Sequence, residues 1–96
     1  MILTIALSQL DSKEHIHDLM ADMLDLPEYY GRNLDALYDV LTTLEEKMTI
    51  VLDFEGRTLG ELPKVTLSCL RVLYDAAYAN PRLRIEHDQR DLEQTV

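Results

Sequence analysis

MTIVLDF, Met48 to Phe54, is the stretch that most narrows the choice of fold. Its apolar residues run on rather than alternate, and Thr49, Ile50 and Val51 are β-branched. Such a run predicts a strand covered on both faces, the kind found in parallel sheets. Two other runs can pair with it. ILTIAL, residues 2–7, is short, β-branched and bounded by polar residues, and RLRIEH, residues 82–87, alternates apolar with charged side chains.

The segments between these runs carry helical spacing. Asp11 with Glu14 three residues later has the capping-box pattern, and Ile16, Leu19, Met20, Met23 and Leu24 follow on one stripe. Pro27 stops that helix, because its ring disfavours helical geometry at the residue before it. Gly31 breaks the chain and Asn33 is a good N-cap. Leu34, Leu37, Tyr38, Leu41 and Leu44 then define the buried stripe of a second helix, which leaves Asp35 and Asp39 towards solvent. EGRTLGELP is a loop with room for one helical turn. From Lys64 to Ala79 a third helix buries Val65, Cys69, Val72, Leu73 and Ala76, and Asn80-Pro81 ends it.

The order strand, helix, helix, strand, helix, strand predicts an α/β fold: a three-stranded parallel sheet with right-handed crossovers, packed with three to four helices. A chain of 96 residues has room for one such domain, read here over residues 1–87. The polar DQRDLEQTV at 88–96 reads as a C-terminal tail.

Eighteen acids against nine bases give a formal charge of −9. That balance opposes contact with phosphate backbones and anionic lipid headgroups, so neither nucleic acid nor a membrane is an expected direct partner, and a cationic protein is. MILTIAL is apolar but short, lacks a basic flank and meets polar residues at once. It reads as neither a signal peptide nor a membrane span, and the expected compartment is the cytoplasm. The single cysteine, Cys69, lies in the apolar helical stretch VTLSCLRVL and reads as a buried structural thiol rather than a nucleophile.

Catalytic patterns are weak. Asp35 and Asp39, joined by Asp25 or Glu28, could serve acid–base chemistry or hold a cation. A general acid wants burial to raise its pKa, however, and a divalent cation wants several converging oxygens. His15 and His17 stand two apart on a helix and point to different sides; with His87 they read as surface residues. The glycines at 31, 56 and 60 form no phosphate loop, and no nucleophile–base signature is present. No catalytic residue, metal or cofactor is expected, and the chain reads as a non-enzyme.

Recognition is the stronger idea. Residues 25–46 hold six acids (Asp25, Glu28, Asp35, Asp39, Glu45 and Glu46) against one base, Arg32. Asp35 and Asp39 sit one turn apart, where like charges weaken an isolated helix by about 0.2–0.5 kcal/mol. Tyr29 and Tyr30 stand beside them, rigid amphipathic side chains of the kind that anchor interfaces. Anionic groups at fixed spacing flanked by aromatics imitate phosphates with bases beside them. In the competing reading, one tyrosine staples the loop to the core and the acids keep the surface wet.

LPEYYGRNLDALYDVLT, Leu26 to Thr42, resembles the central segment of the barstar family of ribonuclease (barnase) inhibitors. The likeness runs through LPEYYG, NLDAL, an aromatic-Asp pair and LT. It is supported by HDLMADMLDL before it and by MTIVLDF and LRVLYDAAYA after it, reaching in weaker form to about residue 87. The resemblance implies a three-stranded parallel sheet packed with helices, and tight one-to-one inhibition of a small basic ribonuclease whose active site is plugged by the second helix and the loop before it. It also implies roles for residues. Asp39 would occupy the substrate-phosphate position, Asp35 would meet a second basic region, and Tyr29 would pack on a catalytic histidine. Tyr30 and Tyr38 would belong to the same surface, Gly31, Asn33, Leu34 and Thr42 would line the contact, and Asp75 would stand at its edge. The chain departs from the family pattern at Tyr38 and Leu44, tryptophans there, at Thr43, a glycine there, and at Arg32, an acid there. An alternative is an acidic interaction module on the same scaffold that binds another basic protein, such as a toxin or a DNA-binding regulator.

Overall fold

A computed structural model describes residues 1–88. Strands β1 (Ile2–Ala6), β2 (Met48–Asp53) and β3 (Leu83–His87) form one parallel sheet with β2 in the middle. Helices α1 (Lys13–Met23) and α2 (Leu34–Thr42) make the crossover from β1 to β2, and α3 (Lys64–Ala79) makes the one from β2 to β3. This is the three-stranded parallel α/β arrangement that the sequence predicts, with three α-helices. Short 3-10 turns at Leu7–Leu10 and Leu59–Glu61 complete it. Strand β1 therefore stops at Ala6, and Leu7 turns with Leu10 into the core.

The sheet is not covered equally on its two faces, a departure from the expectation for Met48–Phe54. Met48, Ile50 and Leu52 are buried, whereas Thr49, Val51 and Asp53 are half-buried. The register explains the difference. Leu52 lies opposite Ile5, Ile50 opposite Ile85 and Met48 opposite Leu83, all on the face that packs into the helices. The other face presents Ile2, Thr4, Arg84 and Glu86 to water, with Arg84 and Glu86 paired at 3.0 Å. Three short helices suffice for one face only, although all-parallel sheets are usually covered on both.

Helix α1 is capped by Ser12 rather than Asp11. The Ser12 hydroxyl accepts the His15 N–H at 3.1 Å, while the Asp11 carboxylate meets the His15 ring at 2.6 Å. That contact holds Asp11 below its ordinary pKa and raises that of His15. The helix also ends before Pro27 acts on it. Asp25 takes a left-handed φ of 50°, the Leu26 N–H reaches the Ala21 carbonyl at 2.9 Å and the Asp25 N–H reaches Asp22 at 3.3 Å. This is a Schellman turn with aspartate where glycine is usual.

Helix α3 holds the expected bounds. Its Cys69, Leu73 and Ala76 are buried as read, Val65 and Val72 are half-buried, and Thr66 and Leu70 join the core. The Thr66 hydroxyl donates to the Leu10 carbonyl at 2.6 Å. Beyond the helix, the Asn80 amide donates to the carbonyls of Leu41 at 2.9 Å and Leu44 at 3.3 Å, tying the end of α3 to the end of α2. Burial pushes the Cys69 thiol up to about 12, so it stays protonated and inert, as a structural cysteine should. Among the described residues no helix is long and apolar enough to cross a membrane. Apart from Asp88, whose N–H donates to the Leu52 carbonyl at 2.8 Å, the tail read at 88–96 lies outside the described residues.

Candidate functional site

Helix α2 and the loop before it carry the acidic segment. Asn33 caps the helix: its side-chain oxygen accepts the Ala36 N–H at 2.7 Å and its amide donates back to the Gly31 carbonyl at 3.3 Å. Leu37 and Leu41 point into the core and are fully buried. Their spacing forces Asp35 and Asp39 onto the outer side of the same helix, and both are exposed. Asp35 lies in the first turn, where a carboxylate is favoured by the helix dipole; Asp39 lies near the other end, where it is not. Among the described residues no lysine or arginine pairs with either one.

The only base in the segment is turned away from them. Arg32 adopts a left-handed φ of 52° and its guanidinium bonds to Asp18 on α1. Next to Asp18, His17 holds the loop from the other side, its Nδ1 2.7 Å from the Tyr30 hydroxyl. Two consecutive residues of α1 thus clamp the loop on both sides of Gly31. A turn closes between the Pro27 carbonyl and the Tyr30 N–H at 3.0 Å, which sends Tyr30 inward (8% exposed) and leaves Tyr29 outward (89% exposed). Gly31 sits in a close approach and not at a left-handed φ: a Cβ there would stand 3.2 Å from the Ala36 Cβ, tighter than side chains usually come.

These positions sort the expected site residues. Tyr29, Gly31, Asn33, Asp35, Tyr38 and Asp39 are exposed on one continuous segment, with Leu34 and Thr42 half-buried beside them. Tyr30 is the tyrosine that staples the loop to the core, so little of it is left to touch a partner. Tyr38, read as part of the buried stripe, is instead 36% exposed, and Leu44 lies beyond the end of α2 and is half-buried. The Thr42 hydroxyl is spent on its own helix, donating to the carbonyls of Tyr38 at 2.9 Å and Asp39 at 3.2 Å. Asp75 is exposed on α3, a loose 3.9 Å from Arg71. Among the described residues no three His, Cys, Asp or Glu side chains gather as a metal site requires.

The family model described as Barstar (barnase inhibitor) matches residues 1–93. The chain belongs to that family. It is also 49% identical over 51 residues to the Bacillus subtilis (strain 168) protein named "Putative ribonuclease inhibitor YrdF". That likeness takes in 49% of this chain and 56% of the relative, so the chain spans little more than half of the length of the curated relative it matches. The three-stranded parallel α/β fold is consistent with a barstar-like one.

His17 is the residue that the sequence reading missed. It is not a surface histidine: it is 2% exposed, and burial, with Arg32 nearby, holds its pKa below the ordinary value of 6.5. The available signal was its place three residues before Met20 and seven before Leu24, on the edge of the apolar stripe. Because the folded pKa lies below the unfolded one, the unfolded chain binds more protons in the window below about 6.5. Stability is therefore full above that window and is lost as pH falls through it. Urea unfolding at pH values from about 7 to 5.5 should give a free energy that declines with acidity, and His17→Gln should flatten that decline. His15, with its raised pKa, acts in the opposite sense, losing its contribution as pH rises beyond 6.5.

Proposed function

We propose that this chain inhibits a small basic ribonuclease by seating α2 and the preceding loop in the enzyme's active site, as a one-to-one complex. The observation that carries the reading is the unneutralised outer face of α2. Asp35 and Asp39 stand exposed one turn apart, neither paired with a lysine or arginine among the described residues, while Arg32 is bonded to Asp18. A surface arranged this way is costly to the free protein and complementary to a cleft that holds RNA phosphates. Tyr29, almost wholly exposed at the turn beside it, supplies a ring for stacking or packing. Family membership and the name of the Bacillus relative support a ribonuclease as the target.

In this mechanism Asp39 takes the place of a substrate phosphate and meets the enzyme's cationic side chains, and Asp35 meets a second basic region. Gly31, Asn33, Leu34, Tyr38 and Thr42 shape the contact around them, and Asp75 adds charge at the edge. The protein performs no chemistry; it excludes RNA. Because exposed carboxylates steer a cationic partner at long range, raising the salt concentration from about 0.05 to 0.5 M should slow association by about tenfold or more and alter dissociation far less. Stopped-flow mixing with a barnase-type ribonuclease measures both. An association rate indifferent to salt would refute steering by α2.

A further inference from the structure

Beyond the outer face of α2 lies a cleft of about 430 Å³, formed where the C-terminal ends of α1 and α2 meet the start of β2. Its floor is apolar: Met23, Val40, Leu44 and Met48 line it, the first three half-buried and Met48 buried but for 8% of its surface. Its rim is acidic, with Asp25, Glu45 and Glu46 all exposed. Two further features make it attractive to a cation. Neither α1 nor α2 has a basic residue in its last turn, so no cationic side chain of either helix offsets the negative end of its dipole there. Lys47 and the Met1 amino group, which donates to the Lys47 carbonyl, are the positive groups among the lining residues, and neither pairs with the three carboxylates.

We infer that this cleft receives a basic side chain, arginine or lysine, from the cationic protein that α2 binds. The aliphatic stem lies along Met23, Val40, Leu44 and Met48, and the charged head sits between Asp25, Glu45 and Glu46. Long basic side chains suit such a place because their stems are apolar and their heads are not. The cleft adjoins α2 one turn past Asp39, so one partner can span both. The inference rests on the inhibitor reading for the identity of the partner, but not for the chemistry of the cleft.

Methionine-methyl NMR separates the two. With n-butylguanidinium as probe, Met23 and Met48 should shift saturably, while Met20, buried on α1 away from the cleft, should not move. Glu45→Gln with Glu46→Gln should raise the probe's dissociation constant by about fivefold, and uncharged n-butylurea should give no saturable shift. No saturation, an equal response to n-butylurea, or indifference to the double variant would overturn the inference. A second arm adds barnase itself. Shifts of Met23 and Met48 in the complex, and weaker binding by the double variant, support the inference, whereas a tight complex in which both are unaffected overturns it. If barnase fails to bind while n-butylguanidinium saturates the cleft, the ribonuclease reading falls and the basic-side-chain site stands.

Discussion

Replacing Asp39 by alanine is expected to raise the dissociation constant for a barnase-type ribonuclease by at least ~100-fold. The figure follows from the cost of leaving one member of a desolvated charge pair alone, about 3–5 kcal/mol. Glu61→Ala is the control, since Glu61 is exposed in the 3-10 turn after β2, bonded to Thr58; it should change affinity less than about threefold. The same Asp39→Ala chain, unbound, should be no less stable than the parent and more stable by a few tenths of a kcal/mol. It sheds the repulsion from Asp35 and a negative charge near a helix C-terminus. Weaker binding with unchanged or higher stability would mark Asp39 as kept for recognition. Equal losses of affinity from Asp39→Ala and Glu61→Ala would defeat its assignment.

The second large effect lies on the other side of the same helix. Leu41 is fully buried, and its carbonyl accepts the Asn80 amide that joins the ends of α2 and α3. Leu41→Ala should cost about 2–5 kcal/mol, a transfer loss plus the cavity left behind. Against a total of roughly 5–15 kcal/mol for a domain of this size, that is a large fraction, and the melting temperature should fall by more than about 10 °C. Where the variant remains folded, its affinity for the ribonuclease should be near that of the parent, because Leu41 faces away from the outer surface. A melting temperature within a degree or two of the parent would contradict the packing described. The pair of substitutions thus separates the two jobs of α2: Leu37 and Leu41 hold it, Asp35 and Asp39 use it.

Much of this arrangement is legible in the chain. The bounds of α3 can be read because Pro63 and Asn80-Pro81 bracket one unbroken apolar stripe, and the parallel topology follows from the order of runs. Choices between chemically similar neighbours are not legible. Asp11 and Ser12 are both good N-caps, and the one that wins depends on Asp11 finding His15. Tyr29 and Tyr30 are identical side chains, and only the turn closed by Pro27 decides which goes inward. Tyr38 sits at the margin of a helical stripe, where the width of the buried face depends on how α3 packs beside it. The positive φ near Gly31 falls on Arg32 and not on the glycine. His17 was hidden because its partner, Tyr30, comes from a loop thirteen residues away. In these cases one particular contact, local for Asp11 and the two tyrosines and tertiary for His17, decides among options that propensity leaves open.

That Asp35 and Asp39 pair with no base among the described residues could not be read from spacing alone, since an arginine three residues before Asp35 is equally well placed to neutralise it. Its diversion to Asp18 depends on a left-handed turn that places Arg32 against α1. That turn keeps the acidic face free.

Whether that face occupies the place of RNA can be measured by competition. A barnase-type ribonuclease, titrated with this protein at rising concentrations of a nucleoside 3′-monophosphate, should show an apparent dissociation constant that climbs in proportion to nucleotide, as for two ligands of one site. An apparent affinity unchanged at saturating nucleotide would mean that both bind together, and that α2 does not stand where the phosphates go.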